Sequence, residues 1–178
     1  MRIIAGVAKG RRLKTPKAGT RPMTGRARES LFSILGGRLA EARILDLYAG
    51  SGSLGLEALS RGASGAVFVE KDRAASVVLS ENVERVGLGG RVRTSDVRSF
   101  LRSEHAQYDV VFLDPPYRDD DAEVFSVLEL VDGVLAPGGI VVLHRQERNV
   151  VDPPEFLRSV DERRYGDAVV TMMERKNE

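Results

Sequence analysis

Short apolar runs alternate, over most of the chain, with segments in which apolar residues recur every three or four positions. The apolar runs predict strands at 44–47, 66–70, 92–94, 108–113 and 140–143. The spaced segments between them predict helices, two of which end at Gly62 and Gly87. Two further strands, around 160–164 and 168–173, are separated by Gly166-Asp167. The alternation predicts a doubly wound α/β fold with a mostly parallel seven-stranded sheet and an antiparallel edge.

The first 23 residues have a different pattern. Apolar and basic residues mix at 2–5 and 11–14, and the glycine-bounded segment 6–10 predicts the connection of a short basic hairpin. The stretch 15–23 contains two prolines and a glycine, which predicts a loop. We therefore expect a basic N-terminal extension over 1–23, made of a hairpin and a loop, and one larger domain over 24–178.

Composition narrows the class of protein. Of the 178 residues, 42% are hydrophobic and 30% are charged, a balance typical of a globular domain. The absence of cysteine excludes a disulfide framework, a cysteine nucleophile and cysteine-ligated metal clusters. No apolar run reaches the ~18–20 residues that a membrane-spanning helix needs, and the N-terminus lacks the apolar stretch of a secretory signal. The sequence predicts a cytoplasmic protein without membrane contact, and we expect a monomer.

The net charge of +1 hides a strong asymmetry along the chain. Residues 1–30 hold nine basic side chains and one acidic one, so the remaining residues carry a net charge of −7. A basic segment joined to an acidic body is typical of proteins that bind a polyanion, most often nucleic acid. The side chains expected to contact this nucleic acid are Arg2, Lys9, Arg11, Arg12, Arg26 and Arg28.

A glycine-rich segment, Asp46-Leu47-Tyr48-Ala49-Gly50-Ser51-Gly52-Ser53-Leu54-Gly55, follows the first predicted strand. Its glycines permit a tight turn into a helix whose first N–H groups are free to bind a ligand. Glu70 ends the second strand, where a carboxylate can accept hydrogen bonds from ribose hydroxyl groups. The same spacing occurs in dinucleotide-binding proteins and in structural turns, so by itself it leaves the ligand open. Asp46 precedes the glycines, where a cationic amino-acid group could lie, and this disfavours a nicotinamide dinucleotide.

A second motif, Asp114-Pro115-Pro116-Tyr117, directly follows the apolar strand 108–113. The carboxyl ends of strands are where open α/β sheets bind their ligands. Two prolines remove N–H donors, so the Asp114 carboxylate and the backbone carbonyls are expected to face the cleft as acceptors. Such acceptors suit the exocyclic amino group of a nucleobase, and Tyr117 can stack on a flipped-out base. A proline-rich surface turn is the structural alternative, but it is unusual after a core strand.

The remaining polar candidates are less specific. Asp96, after the third strand, is expected either to accept from an adenine amino group or to cap a helix. His105 and His144 lie in no motif and are expected to be ordinary surface or packing histidines. The run 119–121, three aspartates, is expected to begin a helix, where acidic residues interact favourably with the helix dipole. No carboxylates at matching strand ends suggest a metal site, so no metal is expected.

Several motifs, taken together, span nearly the whole chain. They are Arg2-Ile3-Ile4-Ala5-Gly6, Lys9-Gly10-Arg11, Arg21-Pro22, Arg26-Ala27-Arg28-Glu29-Ser30-Leu31-Phe32, the glycine block continued through Ala63, Asp114-Pro115-Pro116-Tyr117 and Tyr165-Gly166-Asp167. In combination they resemble the RsmD family of S-adenosylmethionine-dependent 16S rRNA (guanine-N2)-methyltransferases, and the N-terminal motifs are the most specific part of the resemblance.

The resemblance implies a Rossmann-like class I methyltransferase fold and S-adenosylmethionine as cofactor. It implies that 16S rRNA, the small ribosomal subunit or an assembly intermediate is the partner. Residues 114–117 would then hold the guanine amine. The cofactor would be bound by Asp46, Tyr48, Gly50, Ser51, Gly52, Glu70, Lys71, Asp96 and Val97.

The chain departs from the family at the start of its first predicted helix. Family members usually have Thr and Asp where this chain has Met23 and Gly25. If that Asp caps the helix in the family, Thr24 must replace it here. The helix is expected to end at the glycines 36–37. Its expected buried side consists of Ala27, Leu31, Ile34 and Leu35.

Other functions stay open at this point. A DNA methyltransferase acting on adenine N6 or cytosine N4 would use the same Asp-Pro-Pro-Tyr chemistry, but such enzymes usually need further sequence for duplex recognition. A protein-glutamine methyltransferase would leave the basic segment without a polyanion. A non-catalytic RNA-binding ribosome assembly factor is the alternative from a different class, and the intact Asp114 and Glu70 disfavour it.

Overall fold

A seven-stranded sheet lies at the centre of the computed structural model, which describes residues 1–16, 23–146 and 151–176. The strands are β1 Arg43–Leu47, β2 Gly65–Glu70, β3 Arg91–Thr94, β4 Tyr108–Leu113, β5 Leu135–Gln146, β6 Leu157–Tyr165 and β7 Ala168–Arg175. Their order across the sheet is β3-β2-β1-β4-β5-β7-β6. The first five strands are parallel, and β7 is antiparallel to both β5 and β6. The predicted sheet with its antiparallel edge is confirmed.

Helices cover both faces of this sheet. Those of the described ranges are α1 Gly25–Leu35, α2 Ser53–Ser60, α3 Arg73–Val86, α4 Val97–Ser103 and α5 Asp121–Val131, with a 3-10 turn Gly36–Leu39 after α1. Ile44 and Phe112 pack in one apolar cluster with α1, α2 and α3. Leu45 and Val111 pack on the opposite face with α4 and α5. Burial on both faces explains why β4 carries a continuous apolar run.

The first helix begins as predicted and buries Ala27, Leu31 and Leu35 as expected, but it does not bury the fourth predicted residue. Thr24 caps α1 by accepting the Ala27 N–H at 3.2 Å, so the predicted cap at Thr24 is confirmed. Ile34 is 38% exposed, and the prediction that it lies on the buried side is wrong. Phe32 is buried instead, with its ring 5.7 Å from the ring of Phe112.

Strand β5 starts earlier than the apolar run 140–143 predicts. Leu135 already pairs with Tyr108, and Ile140 pairs with Val110, so residues 136–139 lie opposite a single residue of β4. This bulge takes up the proline and glycines that the sequence pattern placed before the strand. The predicted short strand 140–143 is therefore corrected to one long, bulged strand, Leu135–Gln146.

The described part of the N-terminal extension, residues 1–16, packs against the helices. Ile3, Ala8 and Leu13 are buried in the same apolar cluster as α1, α2 and α3. An antiparallel bridge between Arg2 and Arg12 closes the predicted hairpin without two extended strands. Most of the loop predicted over 15–23 lies outside the described residues, and the boundary at residue 23 stays a prediction.

Candidate active site

The loop between β1 and α2 contains several left-handed backbone positions. Tyr48, Gly50 and Gly52 have φ values of 60°, 54° and 76°. This conformation is unfavourable for a residue with a Cβ, so Tyr48 occupies a strained position and glycine relieves the strain at the other two. Gly52 is also the N-cap of α2. The loop therefore brings the unpaired N–H groups of a helix start to the carboxyl edge of the sheet.

Packing requires glycine at two places in this segment. A Cβ on Gly55 would lie 2.4 Å from Phe68 Cε1, and a Cβ on Gly52 would lie 2.5 Å from Leu79 Cδ1. A Cβ on Gly50, in contrast, would meet no other atom within 4 Å. The helix can thus approach the sheet closely while open space remains beside the Gly50 backbone, which a small ligand can occupy.

Asp46 is buried beneath the loop. Its Oδ2 accepts the Gly55 N–H at 2.9 Å, and the residue is 1% exposed. Burial raises the pKa of Asp46 to about 8; the charges of Asp114 and Glu70 act in the same direction, and the Gly55 hydrogen bond opposes them. Asp46 therefore anchors the start of α2, and its contact with a cationic ligand group stays a prediction.

Glu70 holds the same loop from the end of β2. Its Oε2 accepts the Gly50 N–H at 3.0 Å and its Oε1 accepts the Asp72 N–H at 2.9 Å. Each carboxylate oxygen has two lone pairs, so Glu70 keeps acceptor capacity after these two bonds. The side chain is half-buried. It can therefore position the loop and still accept hydrogen bonds from ribose hydroxyls.

The other predicted cofactor residues surround the same edge of the sheet. Tyr48 is half-buried, and burial raises its pKa to about 12. Ser51 and Val97 are buried, whereas Lys71, directly after β2, is exposed. Asp96 caps α4 by accepting a backbone N–H of its first turn at 3.0 Å. The helix-cap alternative for Asp96 is confirmed, and its contact with an adenine stays a prediction.

The Asp114-Pro115-Pro116-Tyr117 motif begins where β4 ends. Because β1 and β4 are parallel neighbours with Leu47 paired to Leu113, Tyr48 and Asp114 follow paired residues at the same edge. The Asp114 charge also raises the pKa of Asp46, as nearby like charges do. The fold thus brings the two motifs together.

A histidine from β5 contacts this motif. His144 Nδ1 lies 2.7 Å from Asp114 Oδ1, and the His144 side chain is 4% exposed. The Tyr117 ring is edge-on to the imidazole, with 6.3 Å between the ring centroids. His144 is buried, as expected of a packing histidine, and the contact with Asp114 is an addition to that prediction; His105 is exposed on the surface as expected. Only the pairing of β4 with β5 reveals the contact, since no motif surrounds His144.

The loop after the motif is fastened to β5 by Arg145. Its guanidinium donates to the Asp119 carbonyl at 2.9 Å and pairs with the Asp121 carboxylate at 3.2 Å. Asp120 caps α5, and its reciprocal hydrogen bonds with Glu123 form a capping box. The predicted acidic helix start is confirmed, and it anchors the far end of the loop that carries Tyr117.

The predicted RNA contacts differ in their exposure. Arg11 is an exposed residue, but its guanidinium donates to the carbonyls of Arg85 and Val86 at the end of α3. Arg28 is 3% exposed and donates to the Arg2 carbonyl at 2.8 Å, and burial lowers its pKa. A buried guanidinium cannot reach a phosphate, so the prediction for Arg28 is wrong. The exposed residues of the set, besides Arg11, are Arg2, Lys9, Arg12 and Arg26.

Buried polar side chains fasten the N-terminal extension to the helices beside the glycine loop. Glu57 in α2 accepts the N–H groups of residues 4–5 at 2.7 and 3.0 Å. Asn82 in α3 donates to the carbonyls of Lys14 and Ser51, both at 2.9 Å. Asn82 thus links the extension directly to the loop. Sequence reasoning missed both residues, because a polar residue within an amphipathic helix carries no signal of a distant partner.

The described residues contain neither a cluster of metal-binding side chains nor a membrane-spanning helix. In residues 1–16, 23–146 and 151–176, no three His, Asp or Glu side chains are grouped so that they could hold a metal ion. No helix of this described part of the chain is both long and apolar enough to cross a membrane.

These features fit a nucleoside that carries a transferable group. Glu70 has unused hydrogen-bond acceptor capacity and the backbone at Gly50 borders open space, and both features suit a nucleoside. The acceptor oxygens of Asp114 lie at the same edge of the sheet. The strand order with an antiparallel seventh strand, together with a glycine loop after β1, defines the fold of class I S-adenosylmethionine-dependent methyltransferases.

Comparison with known proteins identifies the family. The family model described as Conserved hypothetical protein 95 matches residues 1–174. Ribosomal RNA small subunit methyltransferase D of Escherichia coli K12 is 41% identical over 151 residues, which cover 84% of this chain and 76% of that protein. The chain belongs to this family, the RsmD family.

Solved structures agree with this assignment. The yhhF structure from Escherichia coli has a TM-score of 0.89 and 35% identity, and the match covers 99% of this chain and 98% of that one. The SMU.776 structure, complexed with SAH, has a TM-score of 0.70 and 14% identity, and covers 84% of this chain and 48% of that one. This second likeness shows the fold alone.

Proposed function

We propose that this protein transfers a methyl group from S-adenosylmethionine to the exocyclic N2 of a guanine in 16S rRNA of the small ribosomal subunit. The observation that carries the proposal is the placement of the glycine loop beside the Asp114 motif, at the carboxyl ends of β1 and β4. The relative named as a small-subunit rRNA methyltransferase supports the substrate class.

The residues at the ends of β1 and β2 would hold the cofactor. S-adenosylmethionine supplies a methyl group on a sulfonium, an electrophile that needs no metal. Glu70 accepts hydrogen bonds from the ribose while it holds Gly50 in place. Asp96 would accept from the adenine amino group, and Lys71 and Val97 would belong to the same cofactor site. Together these residues fix the methyl donor so that the reaction is assisted by proximity and orientation.

The residues after β4 act on the methyl acceptor. The exocyclic amine of guanine is a weak nucleophile, because its lone pair is delocalised into the ring. The Asp114 carboxylate and the Pro115 carbonyl accept its N–H groups, and this favours the form in which the lone pair is available. Pro115 and Pro116 offer no N–H groups of their own. Tyr117 supplies a face on which a flipped-out base stacks.

The basic extension supplies the contacts to the RNA backbone. Arg2, Lys9 and Arg12 of the extension and Arg26 of α1 are exposed and contact phosphates, which strengthens binding without reading sequence. Asn82 joins this extension to the glycine loop, so RNA contacts and cofactor loop belong to one packed unit. We infer a monomeric cytoplasmic enzyme that acts on 16S rRNA, on the small subunit or on an assembly intermediate.

The test uses S-adenosylmethionine with an isotope-labelled methyl group. The protein is incubated with 16S rRNA and small subunits from a strain that lacks its gene, and in parallel with duplex DNA. Mass spectrometry of the digested nucleosides is expected to find the label in N2-methylguanosine from the RNA. Label in N6-methyladenine or N4-methylcytosine of the DNA would overturn the proposal, as would RNA binding without any transfer.

A further inference from the structure

A buried imidazole contacts the carboxylate that we assign to the methyl acceptor. His144 Nδ1 is 2.7 Å from Asp114 Oδ1, well within hydrogen-bonding distance. The His144 side chain is 4% exposed, whereas that of Asp114 is 22% exposed. One oxygen of Asp114 is therefore engaged from the protein side, while the carboxyl group as a whole still reaches the open side of the site.

The sheet fixes where this imidazole lies. Leu113 pairs with Leu143 in the parallel β4–β5 ladder, so Asp114 and His144 follow paired residues. On its other side, β5 pairs with β7, and His144 lies opposite Val170. The β5–β7 ladder holds His144 itself, the β4–β5 ladder ends at the residue before it, and Tyr117 packs edge-on against its ring. The imidazole thus has little freedom to leave Asp114.

The chemistry assigns a direction to this hydrogen bond. A carboxylate can only accept, so Nδ1 carries the hydrogen and donates it to Asp114 Oδ1. An unrestrained carboxylate can rotate about its terminal torsion, which is broad and has no sharp minimum. A hydrogen bond to Oδ1 stops this rotation and leaves Oδ2 to accept from the amine of the substrate. Donors of this kind orient reactive groups in many active sites.

We propose that His144 is a positioning residue that fixes the orientation of the Asp114 carboxylate for methyl transfer. The inference rests on the function proposed above, because it gives Asp114 a role toward the acceptor amine. The opposing view makes His144 a core residue whose ring only fills space next to Tyr117. The two views predict different turnover for a variant that keeps a ring at position 144 but has no hydrogen-bond donor.

The decisive variants are His144→Phe, which keeps a buried ring without a donor, and His144→Asn, whose amide can place a donor near the position of Nδ1. The matched control is His105→Phe at an exposed histidine. Turnover, the KM for RNA, cofactor affinity and thermal unfolding are measured for each. We expect His144→Phe to lower kcat about tenfold or more, with cofactor affinity within threefold of the unmodified protein. His144→Asn should recover most of that kcat.

Two results would overturn the inference: a folded His144→Phe variant with kcat within twofold of the unmodified protein, or a His144→Asn variant as slow as His144→Phe. A double variant adds a second check. If His144 acts through Asp114, then His144→Phe should cause no further loss in an Asp114→Ala background. A further loss of comparable size there would assign His144 a separate role.

A spectroscopic measurement covers the case in which the phenylalanine variant does not fold. Nitrogen NMR of the unmodified protein, labelled at histidine, should show the hydrogen of His144 on Nδ1; a hydrogen on Nε2 alone would contradict the inference. The readouts also separate the two proposals. If the unmodified protein transfers no methyl group to RNA, the proposed function fails; if it does and His144→Phe matches it, only the role of His144 fails.

Discussion

The glycine loop and the Asp114 motif lie side by side, yet they are held in different ways. Hydrogen bonds from three separate elements, made by Asp46, Glu70 and Asn82, hold the loop and the start of α2, and those of Asp46 and Asn82 are buried. The motif is more open: the Asp114 side chain is 22% exposed, and His144 holds it from one side. One half of the site is enclosed by several hydrogen bonds of the protein, and the other half is more open.

This difference between an enclosed and an open half matches the two ligands of the proposed function, the cofactor and the guanine. A small cofactor of constant shape is bound best by a loop whose conformation is fixed before binding, since little ordering is then required. A guanine in a large RNA must leave its stack, enter and depart again. Its half of the site can offer acceptors and a stacking face, but it has to stay accessible.

The largest effect is expected when the acceptor side loses its carboxylate. Asp114→Ala removes the group that accepts from the amine, so turnover at saturating substrates should fall about 100-fold or more. The packing around the glycine loop is untouched by this change. Single-turnover methyl transfer measures the effect, and a variant that keeps more than a tenth of the original rate would rule out the role of Asp114.

The enclosed half is tested through its close packing. An alanine at Gly55 would bring its Cβ to 2.4 Å from the Phe68 ring, and we expect Gly55→Ala to lower the free energy of unfolding by about 1–3 kcal/mol. Gly25→Ala is the control, because a Cβ there meets nothing within 4 Å. Urea unfolding compares the two. Equal midpoints for both variants would show that α2 does not need its close approach to the sheet.

The buried carboxyl of Asp46 predicts a pH dependence of stability. Its pKa is about 8 in the folded protein and 3.8 for an ordinary Asp. Between these values the unfolded chain has released the proton that the folded protein still holds, so rising pH favours unfolding. Asp46→Asn removes the titrating carboxyl and, with it, this contribution to the pH dependence of stability. From pH 5 to pH 8 its stability relative to the unmodified protein should rise, by up to about 1.4 kcal/mol per pH unit. A constant difference in urea unfolding across this range would contradict the raised pKa.

The elements and motifs that could be predicted from the sequence are those set by local patterns. The strand 108–113, the cap at Thr24 and the turn at Gly166-Asp167 depend on neighbours in the chain, and the structure confirms them. Both motifs could be placed at one edge of the sheet, because parallel strands put their carboxyl ends together.

The residues that could not be predicted depend on distant partners. His144 looks like any residue of a buried strand until β5 is paired with β4. Arg28 carries the same charge as its exposed neighbours, and only the docking of the extension onto α1 shows that it donates to the Arg2 carbonyl inside the protein. Charge counts therefore predicted a basic surface correctly as a whole and failed for a single residue in it.

The smallest expected effect concerns the basic extension, which lies outside both halves of the site. For RNA binding, the slope of log K against the logarithm of the salt concentration should become less steep in Arg12→Ala. Its magnitude should fall by about 0.7–0.9 if one phosphate contact is lost. Stability should barely change, because an exposed arginine contributes little to folding. Arg163→Ala, at an exposed arginine of the edge strand β6 outside the basic extension, is the control. Filter binding over a salt series gives the slopes; identical slopes for both variants would remove Arg12 from the RNA interface.

Calorimetric titration of S-adenosylmethionine into Glu70→Ala and Asp114→Ala tests the division of the site most directly. Glu70→Ala should weaken cofactor binding by about 1.5–3 kcal/mol, the range for a lost charge-assisted hydrogen bond. Asp114→Ala should bind the cofactor within threefold of the unmodified protein. If instead Asp114→Ala loses as much cofactor affinity as Glu70→Ala does, the two halves do not serve separate ligands and the account is contradicted.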